Sequence, residues 1–213
     1  MIKAIIFDAD GVVINTSPIY SKADQIFLTS HGISANQKEI DLLLTGLSLE
    51  NGVKVLQNKF GLKGSHADLL KQRMNIIKNL YVKIDFIPGF LNFFDRLKLL
   101  GLKTAIATSS HVDFFAIAEQ QLSLDKLFEG HIYFLKDVNH VSKPLPDIFL
   151  YAAKMLITLP EHCLVIEDAV NGIKAAKSAG MKCAALTTTH GKEMLTEADQ
   201  IVDSFEEIKL EQF

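Results

Sequence analysis

Two aspartates, Asp8 and Asp10, stand directly after a short apolar run, Ala4–Phe7, close to the start of the chain. The run predicts a short buried strand. Side chains at positions i and i+2 of an extended chain point to the same side, so the two carboxylates could face one reaction centre. Gly11 follows at once and allows the backbone to turn away. Two acids in this place indicate a metal site or an acid/base site; the alternative is a strand end that carries two solvated acids.

A second group of polar side chains stands where later predicted strands end or helices begin. Because the carboxyl ends of parallel strands meet at one edge of a sheet, these side chains are expected to lie near the two aspartates. Carboxylate oxygens suit Mg²⁺, whereas hydroxyl and ammonium groups suit a phosphate. Taken singly, each position also has an ordinary explanation as a helix cap or a solvated side chain. The group consists of Thr108 and Ser109 at the end of the predicted strand 103–108, Lys143 in a loop before a helix, and Glu167 and Asp168 at the end of the predicted strand 163–167.

The elements that must position these residues alternate between strand and helix in the C-terminal half. Apolar runs predict strands at 103–108, 130–135, 163–167, 181–186 and 200–202, and amphipathic patterns predict helices at 113–122, 146–156 and 170–179. An earlier helix is expected to end at Gly101 and to turn inward Phe90, Phe93, Phe94, Leu97 and Leu100. This alternation predicts an α/β fold in which a parallel sheet is covered on both faces, with the first strand near its centre.

The segment between the first strand and residue 85 has a helical pattern and no strand signal. Its first helix is expected to place Ile19, Ala23, Ile26 and Phe27 on one face. Further helices are predicted around 39–44, 49–60 and 70–81. Residues 16–85 are therefore interpreted as an all-helical domain inserted into a core that is formed by residues 1–15 and 86–213.

The overall charge argues against two classes of partner. The 213 residues carry a formal net charge of −3 and the pI is about 6.2, so neither a nucleic acid nor an anionic membrane is an expected partner. The first residues form too short an apolar run for a signal peptide, and no run is long enough to span a bilayer. The resulting expectation is a cytoplasmic protein that is a monomer by default.

Four further side chains that could take part in chemistry are expected to have structural roles. Cys163 and Cys183 lie in apolar, strand-like runs and are predicted to be small buried hydrophobic residues rather than a disulfide or a catalytic thiol. His111 follows the predicted strand 103–108, and His190 lies in a threonine-rich loop. Both histidines could also face the edge of the sheet that carries the acids, but a surface or capping role is the favoured interpretation for each.

The order of these motifs resembles the haloacid dehalogenase superfamily. The resemblance extends over the whole chain and is closest to the β-phosphoglucomutase-like phosphatases with a helical cap. It implies a three-layer, Rossmann-like core with a central parallel sheet, and a cap inserted after the first strand. The motifs that carry it are Asp8-Ala9-Asp10-Gly11, Thr108-Ser109, Lys143-Pro144, Glu167-Asp168-Ala169, Gly172-Ile173 and Ala179-Gly180.

The resemblance implies a covalent mechanism of phosphoryl transfer. Asp8 is then the nucleophile that forms an aspartyl-phosphate, and Asp10 protonates the leaving oxygen before it activates water. In the haloacid dehalogenases proper the position of Asp10 is not acidic, which favours phosphoryl chemistry over dehalogenation. Thr108, Ser109 and Lys143 would bind the phosphoryl oxygens, with Lys143 also assisting catalysis.

The resemblance also implies a Mg²⁺ cofactor. Its ligands would be Asp8, the main-chain carbonyl of Asp10, and Asp168, while Glu167 either ligates the metal or orients its ligands. The ion would offset the negative charge that otherwise opposes attack of a carboxylate on a phosphate.

The function expected from these observations is a Mg²⁺-dependent phosphatase of small phosphate monoesters, with sugar phosphates among the candidate substrates. One alternative is a hexose-phosphate mutase of the β-phosphoglucomutase type. Those mutases carry an arginine where this chain has Leu49, in a cap loop around Gly46–Leu49, and that arginine binds a second phosphate. Another alternative, from a different class, is a non-hydrolytic signalling or binding module phosphorylated on aspartate. Such receiver domains are shorter, lack a helical cap and carry their acids on separate strands.

Overall fold

The computed structural model describes residues 1–44 and 47–213, with the side chain of Leu42 outside the described set. Strands within these ranges form one six-stranded sheet, and every pairing between neighbours is parallel. The spatial order is β3-β2-β1-β4-β5-β6. In chain order the strands are β1 (Ala4–Phe7), β2 (Lys103–Thr108), β3 (Ile132–Phe134), β4 (Cys163–Glu167), β5 (Lys182–Leu186) and β6 (Gln200–Val202).

The described helices fall into two groups. Those of the segment 16–84 are α1 (Ser17–Ser30), α2 (Gln37–Leu44), α3 (Leu49–Phe60) and α4 (His66–Leu80). Those that accompany the sheet are α5 (Phe90–Leu99), α6 (Val112–Leu122), α7 (Leu124–Leu127), α8 (Asp147–Met155) and α9 (Val170–Ser178). By their internal contacts, residues 1–15 and 85–213 form one compact unit and residues 16–84 form another. The predicted α/β class, with a parallel sheet and an all-helical insertion after β1, is confirmed.

The central place predicted for β1 is also confirmed. Its four residues are fully buried and pair with β2 on one side and β4 on the other, so that Ile6 lies opposite both Ala105 and Val165. A strand with neighbours on both sides and helices on both faces exposes neither face to water, which explains its continuous apolar sequence.

One face of the sheet is covered by aromatic side chains. Phe7 of β1 contacts Phe90 of α5 edge to face, with the ring centroids 5.6 Å apart, and Phe128 at 5.8 Å. Phe90 also contacts Phe205 near the C-terminus at 5.7 Å. The opposite face packs on α8 and α9, where Ile6 belongs to the same buried cluster as Phe149. Alternation along β1 therefore places its side chains in two separate cores.

Two residues predicted to face inward are instead exposed. Leu100 is 60% exposed because it follows the last residue of α5 and so leaves the repeat that buries Leu97. Ile26 is 40% exposed because the buried face of α1 is centred on Asp24 and Leu28, one turn apart. Ile26 is two positions from both Asp24 and Leu28, and therefore points to the opposite side of the helix.

A buried ion pair explains the position of that face. Asp24 of α1 accepts two hydrogen bonds from Arg73 of α4, at 2.6 Å from Nε and 3.2 Å from Nη2, and both side chains are 5% exposed. Arg73 also donates to the carbonyl of Leu49 at the start of α3, at 3.3 Å. Burial raises the pKa of Asp24 although Arg73 opposes the shift. The bidentate pair joins α1 to α4, and the further bond from Arg73 joins α3 to both.

Both cysteines are fully buried and free, as predicted. Burial raises the pKa of Cys163 to about 11 and raises that of Cys183 as well, so neither thiol is activated as a nucleophile. In the residues that the structure describes, no helix is both long and apolar enough to cross a membrane.

Replacing Phe90 by alanine should lower the free energy of unfolding by about 3–5 kcal/mol, because it opens a cavity in the aromatic face of the core. In the same helix, Leu99 is 89% exposed, so Leu99→Ala should change that free energy by less than about 0.5 kcal/mol. Urea unfolding followed by circular dichroism measures both variants. Equal losses would contradict the assignment of the core.

Candidate active site

The chain reverses immediately after β1 and leaves Asp8 at the end of the strand. The amide of Asp8 still donates to the carbonyl of Ile166 in β4, at 3.0 Å. The amides of Val13 and Ile14 then both donate to the carbonyl of Ala9, at 2.9 and 2.8 Å, and close a tight turn. Asp10 lies in this turn and is half-buried. The two aspartates are therefore held by different structures, Asp8 by the sheet and Asp10 by the turn.

Lys143 lies between two carboxylates at this edge of the sheet. Its Nζ is 2.5 Å from Oδ1 of Asp8 and 2.6 Å from Oε1 of Glu167. The lysine side chain is 8% exposed and also lies over the ring of Phe149, 4.7 Å from the centroid. The loop before α8 thus brings its ammonium group to the ends of β1 and β4, the neighbouring central strands.

The Glu167 carboxylate is engaged at both oxygens. One oxygen accepts from Lys143, and the other accepts from the amides of Asp168 and Ala169, each at 2.9 Å. A side chain at Gly172, in the first turn of α9, would overlap this carboxylate. The absence of a Cβ at Gly172 therefore allows Glu167 to lie against the helix.

A segment outside the predicted set of site residues contacts the site through three side chains, of which only His190 was considered as a neighbour of this edge. After β5, the hydroxyl of Thr188 donates to the carbonyl of Gly11 at 2.6 Å, and the hydroxyl of Thr189 donates to Oδ2 of Asp168. Nδ1 of His190 is 2.8 Å from the carbonyl of Asp168 and, because a carbonyl only accepts, that nitrogen must carry the proton.

The favoured surface or capping role for His190 is wrong, and the alternative that it faces this edge of the sheet is confirmed, because the side chain is buried beside Asp168. The reason lies in the strand order, since β5 neighbours β4 and the loops that follow the two strands must lie together. The threonine-rich composition was the only sequence signal for these contacts. The capping role expected for His111 is confirmed, since its ring accepts from the amide of Asp113 at the start of α6, at 3.3 Å.

The two hydroxyl residues after β2 lie at the same edge of the sheet. Phe7 is paired with Ile106, so Thr108 lies close to the level of Asp8 on the neighbouring strand. Thr108 is buried, and its hydroxyl accepts from the amide of Ser110 at 2.9 Å, whereas Ser109 is exposed. The structure therefore brings all the predicted site residues to the ends of β1, β2 and β4, or into the loops that follow or approach them.

The buried part of this group contains more carboxylates than ammonium groups. Asp8, Glu167 and Asp168 are buried together with Lys143. Burial raises the pKa of Asp8 to about 7, although Lys143 opposes the shift, and burial with the neighbouring carboxylates raises that of Asp168. Burial alone would lower the pKa of Lys143, but Asp8 and Glu167 raise it. Ionisation of all three carboxylates together is therefore unfavourable without a further cation.

The donor set fits a hard divalent cation. In the described part of the chain, no three acidic, histidine or cysteine side chains converge into a complete metal cage. Mg²⁺ does not require one, since it usually takes one or two carboxylates together with waters and substrate phosphate. Asp8 and Asp168 supply carboxylates of this kind, and their charge exceeds what Lys143 offsets.

Gly11 is the backbone position on which this packing depends. Its φ is +78°, and an added Cβ would overlap the Asp168 carboxylate and lie 2.8 Å from Oγ1 of Thr189. Gly180 has a similar φ of +72°, with nothing within 4 Å of the corresponding position. A side chain at either position would strain the backbone, but only a side chain at Gly11 would also overlap its neighbours.

Gly180→Ala should lower the free energy of unfolding by about 1–2 kcal/mol, the usual penalty for a side chain in the left-handed region. Gly11→Ala should lower it by clearly more, because the same strain is combined with displacement of Asp168. Urea unfolding of both variants gives the comparison. If Gly11→Ala were no more destabilised than Gly180→Ala, the close packing around Asp168 would be disproved.

Comparisons with known proteins identify relatives of the whole chain. A family model described as haloacid dehalogenase-like hydrolase matches residues 2–180. The Bacillus subtilis protein YhcW, whose name assigns it provisionally to the phosphatases, is 32% identical over 211 residues, covering 99% of this chain and 95% of YhcW. Beta-phosphoglucomutase from the same organism is 31% identical over 217 residues, covering 98% of this chain and 92% of the mutase.

A solved structure agrees with these relationships. The crystal structure of a haloacid dehalogenase-like protein from Agrobacterium tumefaciens matches with a TM-score of 0.85 and 26% identity, covering 97% of this chain and 95% of that one. The resemblance inferred from the sequence motifs is therefore confirmed, including its β-phosphoglucomutase-like branch. Sequence, sheet and relatives agree that the protein belongs to the haloacid dehalogenase-like hydrolases and is a phosphoric monoester hydrolase.

Proposed function

We propose that the protein hydrolyses small phosphate monoesters, with sugar phosphates as the first candidates, in a Mg²⁺-dependent reaction through an aspartyl-phosphate on Asp8. The observation that carries this proposal is the ion pair between Asp8 and the buried Lys143 at the end of the central strand. A fixed carboxylate beside a fixed cation is suited to attack on an anionic phosphorus centre, because the cation offsets the charge of the incoming phosphate.

The first step of the proposed reaction is a displacement at phosphorus. The Asp8 carboxylate forms a bond to phosphorus while the bond from phosphorus to the ester oxygen breaks, and Asp10 gives its proton to that oxygen. Lys143, with Thr108 and Ser109, binds the phosphoryl oxygens. The half-buried turn that carries Asp10 leaves it close to the strand end but outside the ion pair of Asp8.

The second step returns the enzyme to its starting state. Asp10, now ionised, takes a proton from a water molecule whose oxygen attacks phosphorus. The bond between phosphorus and Asp8 breaks, and inorganic phosphate leaves. Asp10 acts as the acid in the first step and as the base in the second. The proton that it gives to the ester oxygen is therefore replaced by one from water.

Mg²⁺ would be held by Asp8, the main-chain carbonyl of Asp10, and Asp168. When bound, it supplies positive charge to the phosphoryl oxygens and to the buried carboxylates. We assign Glu167 an orienting role, because its two oxygens already accept bonds from Lys143 and from two backbone amides. It thereby fixes the position of Lys143 and of the loop that bears Asp168.

Leu49 favours hydrolysis over the mutase reaction. Leu49 stands where the β-phosphoglucomutases carry the arginine that binds a second phosphate, and an apolar side chain offers no charge to a bisphosphate. Gly46, in the cap loop predicted to reach the site, lies outside the described residues. We propose that the helical unit 16–84 carries the substrate selectivity, with the chemistry supplied by the residues on the sheet.

Asp8→Asn should abolish phosphate release, because an amide cannot form the acyl phosphate. Asp95→Asn, a change of an exposed carboxylate on α5, is the matched control and should retain wild-type rates. The assay uses an aryl phosphate first and then a panel of sugar phosphates and nucleotides, each with Mg²⁺ and with EDTA. Near-native turnover by a folded Asp8→Asn variant would overturn the nucleophile assignment, and turnover in EDTA would overturn the metal dependence.

Asp10→Asn should reduce kcat by about 10²–10⁴-fold, the usual loss for one general acid/base, and by more if both steps depend on it. The loss should be smaller for an aryl phosphate with an acidic leaving group, because that group needs no proton to depart. Rates with an aryl and an alkyl phosphate test this contrast. An unchanged rate with both substrates would remove Asp10 from the mechanism.

A further inference from the structure

We propose that Thr189 and His190 are positioning residues that fix Asp168 for binding of a divalent cation. This inference rests on the proposed function, since it concerns the cation assigned to the same site. Residues 187–190, called the β5 loop, directly follow β5. Three consecutive side chains of this loop reach the elements that carry Asp10 and Asp168.

The two contacts with Asp168 constrain different parts of the residue. Thr189 donates to a carboxylate oxygen and so fixes the direction in which the carboxylate faces. His190 bonds to the main-chain carbonyl and so holds the backbone from which that side chain extends. Asp168 itself is 4% exposed, which leaves solvent little part in its orientation. Partners of this kind are what normally orient a metal ligand and tune its affinity.

The β5 loop is itself anchored on the side away from Asp168. The amide of Thr187 donates to the carbonyl of Val202 at 3.0 Å, and its hydroxyl donates to Asp203 at 2.7 Å. Lys192 bonds to the other oxygen of Asp203, also at 2.7 Å. The loop is therefore fastened to the end of β6 by Thr187 and Lys192, on either side of Thr189 and His190. An anchored loop can hold Asp168 in place, whereas a mobile one could not.

The neighbouring contact extends the same constraint to the turn after β1. Thr188 binds the carbonyl of Gly11, the residue next to Asp10, and the Cβ position of Gly11 faces both Asp168 and Thr189. The turn after β1, the loop after β4 and the β5 loop are thus in mutual contact. A change in the β5 loop should reach the cation site without touching Asp8.

The test is the affinity of the full-length protein for MgCl₂, measured by isothermal titration calorimetry without substrate. Thr189→Val removes the hydroxyl but keeps the shape, and should weaken Mg²⁺ binding by about 10–100-fold. Thr189→Ser restores the hydroxyl and should restore the affinity. Thr196→Val, at an exposed threonine after the loop, is the matched control and should leave it unchanged.

Kinetics separate positioning from a general loss of structure. In Thr189→Val, the Mg²⁺ concentration for half-maximal phosphate release should rise by the same factor as the dissociation constant, while kcat at saturating Mg²⁺ stays close to wild type. His190→Phe should shift both quantities in the same direction. A fall in kcat alone, with Mg²⁺ affinity unchanged, would overturn the proposal.

The wild-type protein distinguishes the two proposals. If it binds Mg²⁺ and releases phosphate, but Thr189→Val and His190→Phe bind the ion as tightly, the positioning role is wrong and the proposed function stands. If the wild type neither binds Mg²⁺ nor releases phosphate from any substrate, the proposed function fails and the positioning role falls with it.

Discussion

A single ammonium group, that of Lys143, lies within 2.6 Å of carboxylate oxygens from two neighbouring strands. Asp8 follows the last residue of β1 and Glu167 is the last residue of β4, so without this lysine two largely buried carboxylates would face each other. Breaking a buried pair of this kind typically costs about 3–5 kcal/mol, because the remaining charge is left uncompensated. The sheet itself holds the two strand ends side by side, and this contact fixes the loop before α8 against both of them.

The residues around that contact fit because two positions lack a side chain. Gly11 permits the turn after β1 to pass against Asp168, and Gly172 permits Glu167 to lie against the first turn of α9. A side chain at Gly11 would overlap the Asp168 carboxylate, and one at Gly172 would overlap the Glu167 carboxylate. The site is therefore shaped as much by small residues as by charged ones, and the contacts of Thr189 with Asp168 belong to the same close packing.

Much of this arrangement could be predicted from the sequence, because the strands are short apolar runs and their polar ends are conspicuous. The bounds predicted for β2, β4 and β6 agree with the structure. The orientation of Ile26 could not be predicted, since it follows from a buried ion pair between distant helices. The burial of His190 depends on which strands are neighbours, and a local pattern does not contain that information. The domain boundaries and the catalytic roles stay predictions.

The chain leaves the core and returns to it at one point, since the amide of Asn15 donates to the carbonyl of Asp85 at 3.0 Å. The ends of the intervening segment are thus as close as the ends of a tight hairpin. An insertion of almost any length can begin and end at such a point without changing distances within the core. Asn15 and Asp85 thus form the attachment point for the inserted segment. The length of the segment between these two residues is therefore independent of the positions of Asp8, Glu167 and Lys143 in the core.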